Sequence, residues 1–176
     1  MKKWAMVGLF AVFLCVLGMF ASANAAPESG DGDSPKFRLA GRSELVGYWR
    51  MVQMTEETRR QINKMDPWPQ TYQWFAFYDD GRYNSALALK GGAQMTVAKL
   101  EETFAAGENN SRFEFLENHG IYRITQPGEI SQYWVIAICD KALYLKDSRF
   151  EAGDLLMSLL DKNGQQVYYR QLRRMQ

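Results

Sequence analysis

The sequence predicts an all-β domain, an antiparallel up-and-down barrel of eight to nine strands with one or two short helices. Aromatic residues make up 14% of the chain and gather with β-branched ones in short runs, the composition of strands. Turn chemistry separates those runs at Asp79-Asp80-Gly81, Asn118-His119-Gly120, Pro127-Gly128, Asp140-Lys141 and Asp161-Lys162-Asn163-Gly164. A meander of this many strands escapes exposed edges by closing on itself, and at about eight strands the interior is filled by side chains or holds one small ligand.

The 176 residues suit one domain. A hydrophobic content of 47% with 23% charged residues excludes a disordered chain and a multi-span membrane protein. Lys2 and Lys3, the apolar run Trp4 to Phe20 and then Ala23-Asn24-Ala25 have the three parts of a secretory signal peptide, so residues 1–25 are read as a cleaved leader. The alternative is an uncleaved anchor, since a run of roughly 17 residues is near the lower limit of a membrane span. Cys15 follows Leu14 in mid-run, not a small residue, and does not suit lipidation. Cleavage predicts an exported protein, periplasmic or extracellular, with no stable membrane insertion. It leaves 19 basic against 20 acidic side chains, a charge of −1, and no excess to draw nucleic acid; Arg173-Arg174 is too short a basic run for that. Only Cys139 remains, so no intramolecular disulfide forms. In the apolar stretch Tyr133 to Cys139 it reads as a small buried hydrophobe.

Residues 26–40 form a linker, of which Ala26 to Lys36 read APESGDGDSPK, too poor in apolar surface to order itself. Residues 41–176 form the barrel domain. Its strands are predicted over Leu45 to Met54, Gln70 to Tyr78, Arg82 to Leu89, Arg112 to Glu117, Ile121 to Thr125, Tyr133 to Cys139, a short Ala142 to Lys146, Leu155 to Leu160 and Gln166 to Leu172. Thr96 to Ala106 places Val97, Leu100 and Phe104 at helical spacing, and Gly107 can close the helix. Thr55 to Met65 is a second helix, ended by Pro67.

Ser43-Glu44-Leu45-Val46-Gly47-Tyr48-Trp49 resembles the Gly-x-Trp opening of lipocalins and of bacterial lipocalin-like domains. The hairpin Phe75-Ala76-Phe77, Asp79-Asp80-Gly81-Arg82-Tyr83 is similar to the one that follows in the bacterial group. The resemblance spans roughly residues 43–175. It implies that Gly47 starts the first strand tightly and that Trp49 packs across the closed end of the barrel under a late arginine. Arg170, Arg173 and Arg174 are the candidates for that arginine, with Arg173 the position carried forward. The chain departs from the family in its helix between the third and fourth strands, its lack of a disulfide and the absence of a helix after the last strand.

In a cup, alternate residues line the interior. Arg112, Glu114 and Glu117 belong to the solvent face, so Phe113 and Phe115 point inward, and hairpin pairing sends Phe75, Phe77, Tyr83, Ser85 and Leu87 the same way. The alternation in Tyr133 to Cys139 and in Leu155 to Leu160 is too apolar to assign. So aromatic a lining suits a small hydrophobic molecule held by few polar groups; the alternative is that the rings fill the barrel as core. Trp68, framed by Pro67 and Pro69 in the long connection before the second strand, is read as a lid that touches the ligand, or alternatively as a ring packed on the barrel exterior. His119, the single histidine, sits in a turn with no partners for a zinc or haem site, and no cofactor is implied. The adjacent carboxylates Glu56 and Glu57, Asp79 and Asp80, Glu101 and Glu102 diverge from one another, and no nucleophile elbow or phosphate loop is present. The chain therefore reads as a non-enzymatic carrier. A second reading is a filled barrel that docks another envelope protein through exposed aromatics such as Tyr72, Trp74 or Tyr168. A third, an isomerase or cyclase, needs a polar group deep in the cavity, with Arg123, Tyr133 or Tyr169 as candidates.

Overall fold

Short alternating runs joined by tight turns give antiparallel neighbours. The computed structural model describes residues 37–68, 70–89, 95–107, 111–117, 120–145 and 147–176. The predicted leader, residues 26–36 of the linker and His119 lie outside them. The main sheet contains β2 (Gly47–Met51), β3 (Tyr72–Phe77), β4 (Tyr83–Ala88), β5 (Arg112–Leu116), β6 (Ile121–Thr125), β7 (Gln132–Cys139), β10 (Leu155–Leu160) and β11 (Gln166–Arg174). Their order is β4-β3-β2-β11-β10-β7-β6-β5, so the first and last strands of the series are paired, Trp49 opposite Arg174. This eight-strand antiparallel sheet curls until its outer strands meet at one point. There Arg82 and Arg112 form a bridge, and the Phe113 N–H donates to the Gly81 carbonyl at 2.9 Å.

Three pieces of the fold differ from the expectation. Phe37–Leu39, inside the stretch 26–40 assigned to linker, form β1 and pair with β7. Arg42–Leu45 form a short helix, α1, so the first sheet strand begins at Gly47 and not at Leu45. The short strand β8 (Leu143–Leu145) pairs only with β9 (Ser148–Phe150), outside the main sheet. The two predicted helices are present as α2 (Glu56–Ile62) and α3 (Val97–Ala105), capped by the Thr55 and Thr96 hydroxyls.

The curled sheet carries apolar side chains on both faces. The concave face holds Trp49, Phe75, Trp134 and their neighbours. On the convex face β1 and the β8–β9 hairpin cover Cys139 and Leu156 with Phe37 and Phe150. Strands β7 and β10 are buried from both sides, which is why their alternation is too apolar to read. Cys139 is buried there, its thiol pushed up chiefly by burial, as a small core residue.

The end of the cup nearest α1 is shut by side chains that also finish that helix. A helix end leaves carbonyls without partners. Here the Trp49 Nε1–H donates to the Leu45 carbonyl at 2.7 Å, and the Arg174 Nη1 and Nη2 donate to the Val46 and Glu44 carbonyls at 2.8 and 2.6 Å. The Arg174 guanidinium lies 4.4 Å over the Trp49 ring. Arg174, not Arg173, therefore stacks on Trp49. Side chains alternate along β11, so Arg173 faces the convex side, where it forms a two-pronged pair with the buried Asp154 at 2.9 and 2.7 Å. Gly47 has φ +132°, and a Cβ there would sit 2.6 Å from Arg174 Nη1.

Two outcomes follow from this end of the molecule. Gly47→Ala combines backbone strain with displacement of Arg174 and lowers the unfolding free energy by ~3 kcal/mol. In an Arg174→Ala background only the backbone share remains, ~2 kcal/mol; equal costs in the two backgrounds, read by urea denaturation, would contradict the contact. Glu44 accepts from Arg38 at 2.6 and 2.8 Å and from the Gly41 N–H at 2.8 Å, and these bonds, Arg38 first, hold its carboxyl at about 2 against an ordinary 4.5. A depressed folded-state value means stability that is full above pH 4.5 and lost as pH falls toward 2. Glu44→Gln removes that share of the acid sensitivity, measured as melting temperature against pH.

Candidate ligand site

The concave face collects the side chains that alternation points inward. Phe75, Phe77, Tyr83 and Phe113 are buried in one cluster, with Phe115 and Trp68 packed against it. Phe77 is the hub, its ring 5.1 Å from Tyr83 and 5.2 Å from Phe113, and Phe115 lies 4.8 Å from Tyr122. Burial pushes the Tyr83 hydroxyl up to about 12, so the lining is uncharged there at neutral pH. Ser85 is half-buried, and Leu87 is 40% exposed, at the part of β4 beyond its meeting point with β5.

Trp68 packs inward and not on the exterior. Its connection leaves β2, forms α2, and then runs beside the start of β11, where Asn63 Oδ1 accepts from the Tyr169 N–H at 2.8 Å and the Lys64 N–H donates to the Val167 carbonyl at 3.0 Å. The chain so anchored turns the indole into the cup, 5.9 Å from Trp134 in a stacked arrangement and 5.4 Å from Tyr168. The Gln73 amide ties the connection down by donating to the Trp68 and Gln70 carbonyls at 3.1 and 3.0 Å, and its Oε1 is left buried without a partner.

Beneath Trp68 lies Arg170, 3% exposed. Its guanidinium carbon is 4.1 Å from the Trp68 ring, 4.9 Å from Phe75, 5.0 Å from Trp134 and 5.2 Å from Tyr168. Its Nε has no hydrogen-bond partner, and no carboxylate among the described residues pairs with it. Cation–π contacts in a dry site contribute ~2 kcal/mol, whereas removing a guanidinium from water costs several kcal/mol. The cage therefore offsets only part of the cost. A cavity of about 20 Å³, room for one water, lies beside Trp68 and is lined by Met51, Arg59, Asn63, Tyr168 and Arg170 among others.

In the sequence Arg170 stands only as a candidate partner for Trp49. The available signal was its place between Tyr168 and Leu172 at a spacing of two, which puts all three on the concave face. The groups offered for a deep polar role are elsewhere: Arg123 pairs with the exposed Glu114, Tyr133 is 41% exposed, and Tyr169 packs with the convex cluster. Trp74 and Tyr168, named for an exposed patch, are buried, and Tyr72 stacks on Trp74.

Comparison with protein-family models, with curated proteins and with solved structures gives no match for this chain, so its own geometry carries the reading of the site.

Burial of the Arg170 guanidinium thus costs more than its ring contacts return. Arg170→Met, which keeps the length and removes the charge, raises the unfolding free energy by about 1 kcal/mol; a loss of 2 kcal/mol or more in urea denaturation would mean that the cage is a net stabiliser.

Proposed function

We propose that the chain is an exported lipocalin-like barrel that carries a small hydrophobic molecule in its interior without transforming it. One observation carries the proposal. The interior is an aromatic cup whose cover at one end, Trp68, comes from a connection and not from a strand, so it can leave without breaking a pair in the sheet. With Trp68 seated, the adjoining cavity is about 20 Å³, and an entering ligand takes the place of the indole. Two further features support the barrel. The outer strands β4 and β5 meet at the Arg82–Arg112 bridge, and Trp49 of the Gly-x-Trp opening lies under a late arginine, Arg174 in place of the Arg173 carried forward. The leader-like residues 1–25 support export to the periplasm or the outside.

A second reading is a filled barrel that docks another envelope protein. The close packing of Phe77 on Tyr83 and Phe113 favours it, and the burial of Trp74 and Tyr168 weighs against the aromatic patch it called for.

Native mass spectrometry of mature protein purified from its own host distinguishes the two. The carrier reading predicts a stoichiometric apolar adduct, or uptake of the neutral dye N-phenyl-1-naphthylamine, and Trp68→Ala accelerates that uptake several-fold. A bare mass with no dye uptake by either protein would overturn it in favour of the docking module.

A further inference from the structure

We infer that the carried molecule has a single acidic head, a monocarboxylate on an apolar body, and that Arg170 is its anchor. This rests on the carrier reading and adds the chemistry of the ligand. Among the described residues around Trp68, the concave face is aromatic and aliphatic except at Arg170, whose guanidinium is buried with an unpartnered Nε. Four rings stand around it, and rings satisfy charge from above but accept no hydrogen bonds in the guanidinium plane. The planar fork of N–H donors matches the two oxygens of a carboxylate. The charge count selects a monoanion: the other buried ionisable partner set, Asp154 with Arg173, is on the convex face and already paired, so a dianion would leave surplus charge in the cup. Trp68 lies nearest the guanidinium, at 4.1 Å, and both residues line the same small cavity, so movement of the indole opens room for the head. An apolar tail then lies along Phe75 and Trp134.

Competition against N-phenyl-1-naphthylamine tests the anchor with two ligands of equal chain, decanoate and decanol, at neutral pH. The expected result is that decanoate displaces the dye from the native protein at least tenfold more strongly than decanol. In Arg170→Met that ratio falls to near one, and in Arg170→Lys, which keeps the charge without the fork, it lies between. Circular dichroism and melting curves confirm that each variant is folded. Equal displacement by both ligands in the native protein would overturn the anchor and leave the carrier reading standing. Dye binding with a decanoate preference that survives in Arg170→Met would do the same. Failure of dye, decanol and decanoate alike to bind the folded native protein would overturn both.

Discussion

The stack of Arg174 on Trp49, made possible by the missing side chain of Gly47, joins the first and last strands of the main sheet. Pairing β2 to β11 joins the β2–β4 and β5–β11 halves of the chain into one sheet, whose outer strands β4 and β5 then approach at the Arg82–Arg112 bridge. The same two side chains satisfy the carbonyls of Glu44, Leu45 and Val46, so α1 is held across one end of the cup by groups that belong to the strands. A cation, a ring and a glycine thus hold β2 against β11 and cover one end of the concave face at once. Removing any one of them unsettles the others, because the indole, the guanidinium and the helix carbonyls share their contacts.

The opposite end is built on another principle. There the cover is a ring on a connection tethered through Asn63, Lys64 and Gln73, and the charge beneath it pairs with no carboxylate among the described residues. The two arginines of the concave face show the contrast. Arg174 donates to two carbonyls in addition to its ring, whereas among the described residues Arg170 faces rings and its Nε has no hydrogen-bond partner. A group that costs stability where an apolar residue would fit is the kind of feature that function retains. One end of the concave face is thus closed by side chains of the strands and the other by a ring on a connection.

Much of this was legible in the residues, and the parts that were not have physical reasons. Strands with one covered face, such as Arg112 to Leu116, alternate cleanly, so Phe113 and Phe115 were assignable; β7 and β10, covered on both faces, gave no phase to read. β1 was hidden because three residues beside a polar linker carry too little pattern, and Phe37 acquires its meaning only from Phe150, 5.2 Å away edge to face. The late arginine was recognisable as a type but not as a number, since Arg170 and Arg174 share a face and Arg173 differs only by one step of the alternation. Arg170 itself was obscured by the default that charges face water.

The asymmetry between the two ends is tested most directly by fluorine NMR on mature protein labelled with 5-fluorotryptophan, whose four signals belong to Trp49, Trp68, Trp74 and Trp134. Substituting each tryptophan in turn by Phe assigns them. On saturation with N-phenyl-1-naphthylamine, the account predicts that the Trp68 resonance moves to the shift of an exposed indole and the Trp134 resonance moves with it, while the Trp49 resonance stays where it was. A Trp68 resonance that holds its position, or a Trp49 resonance that shifts as far as Trp68, would contradict a cup closed permanently at one end and opened by one ring at the other.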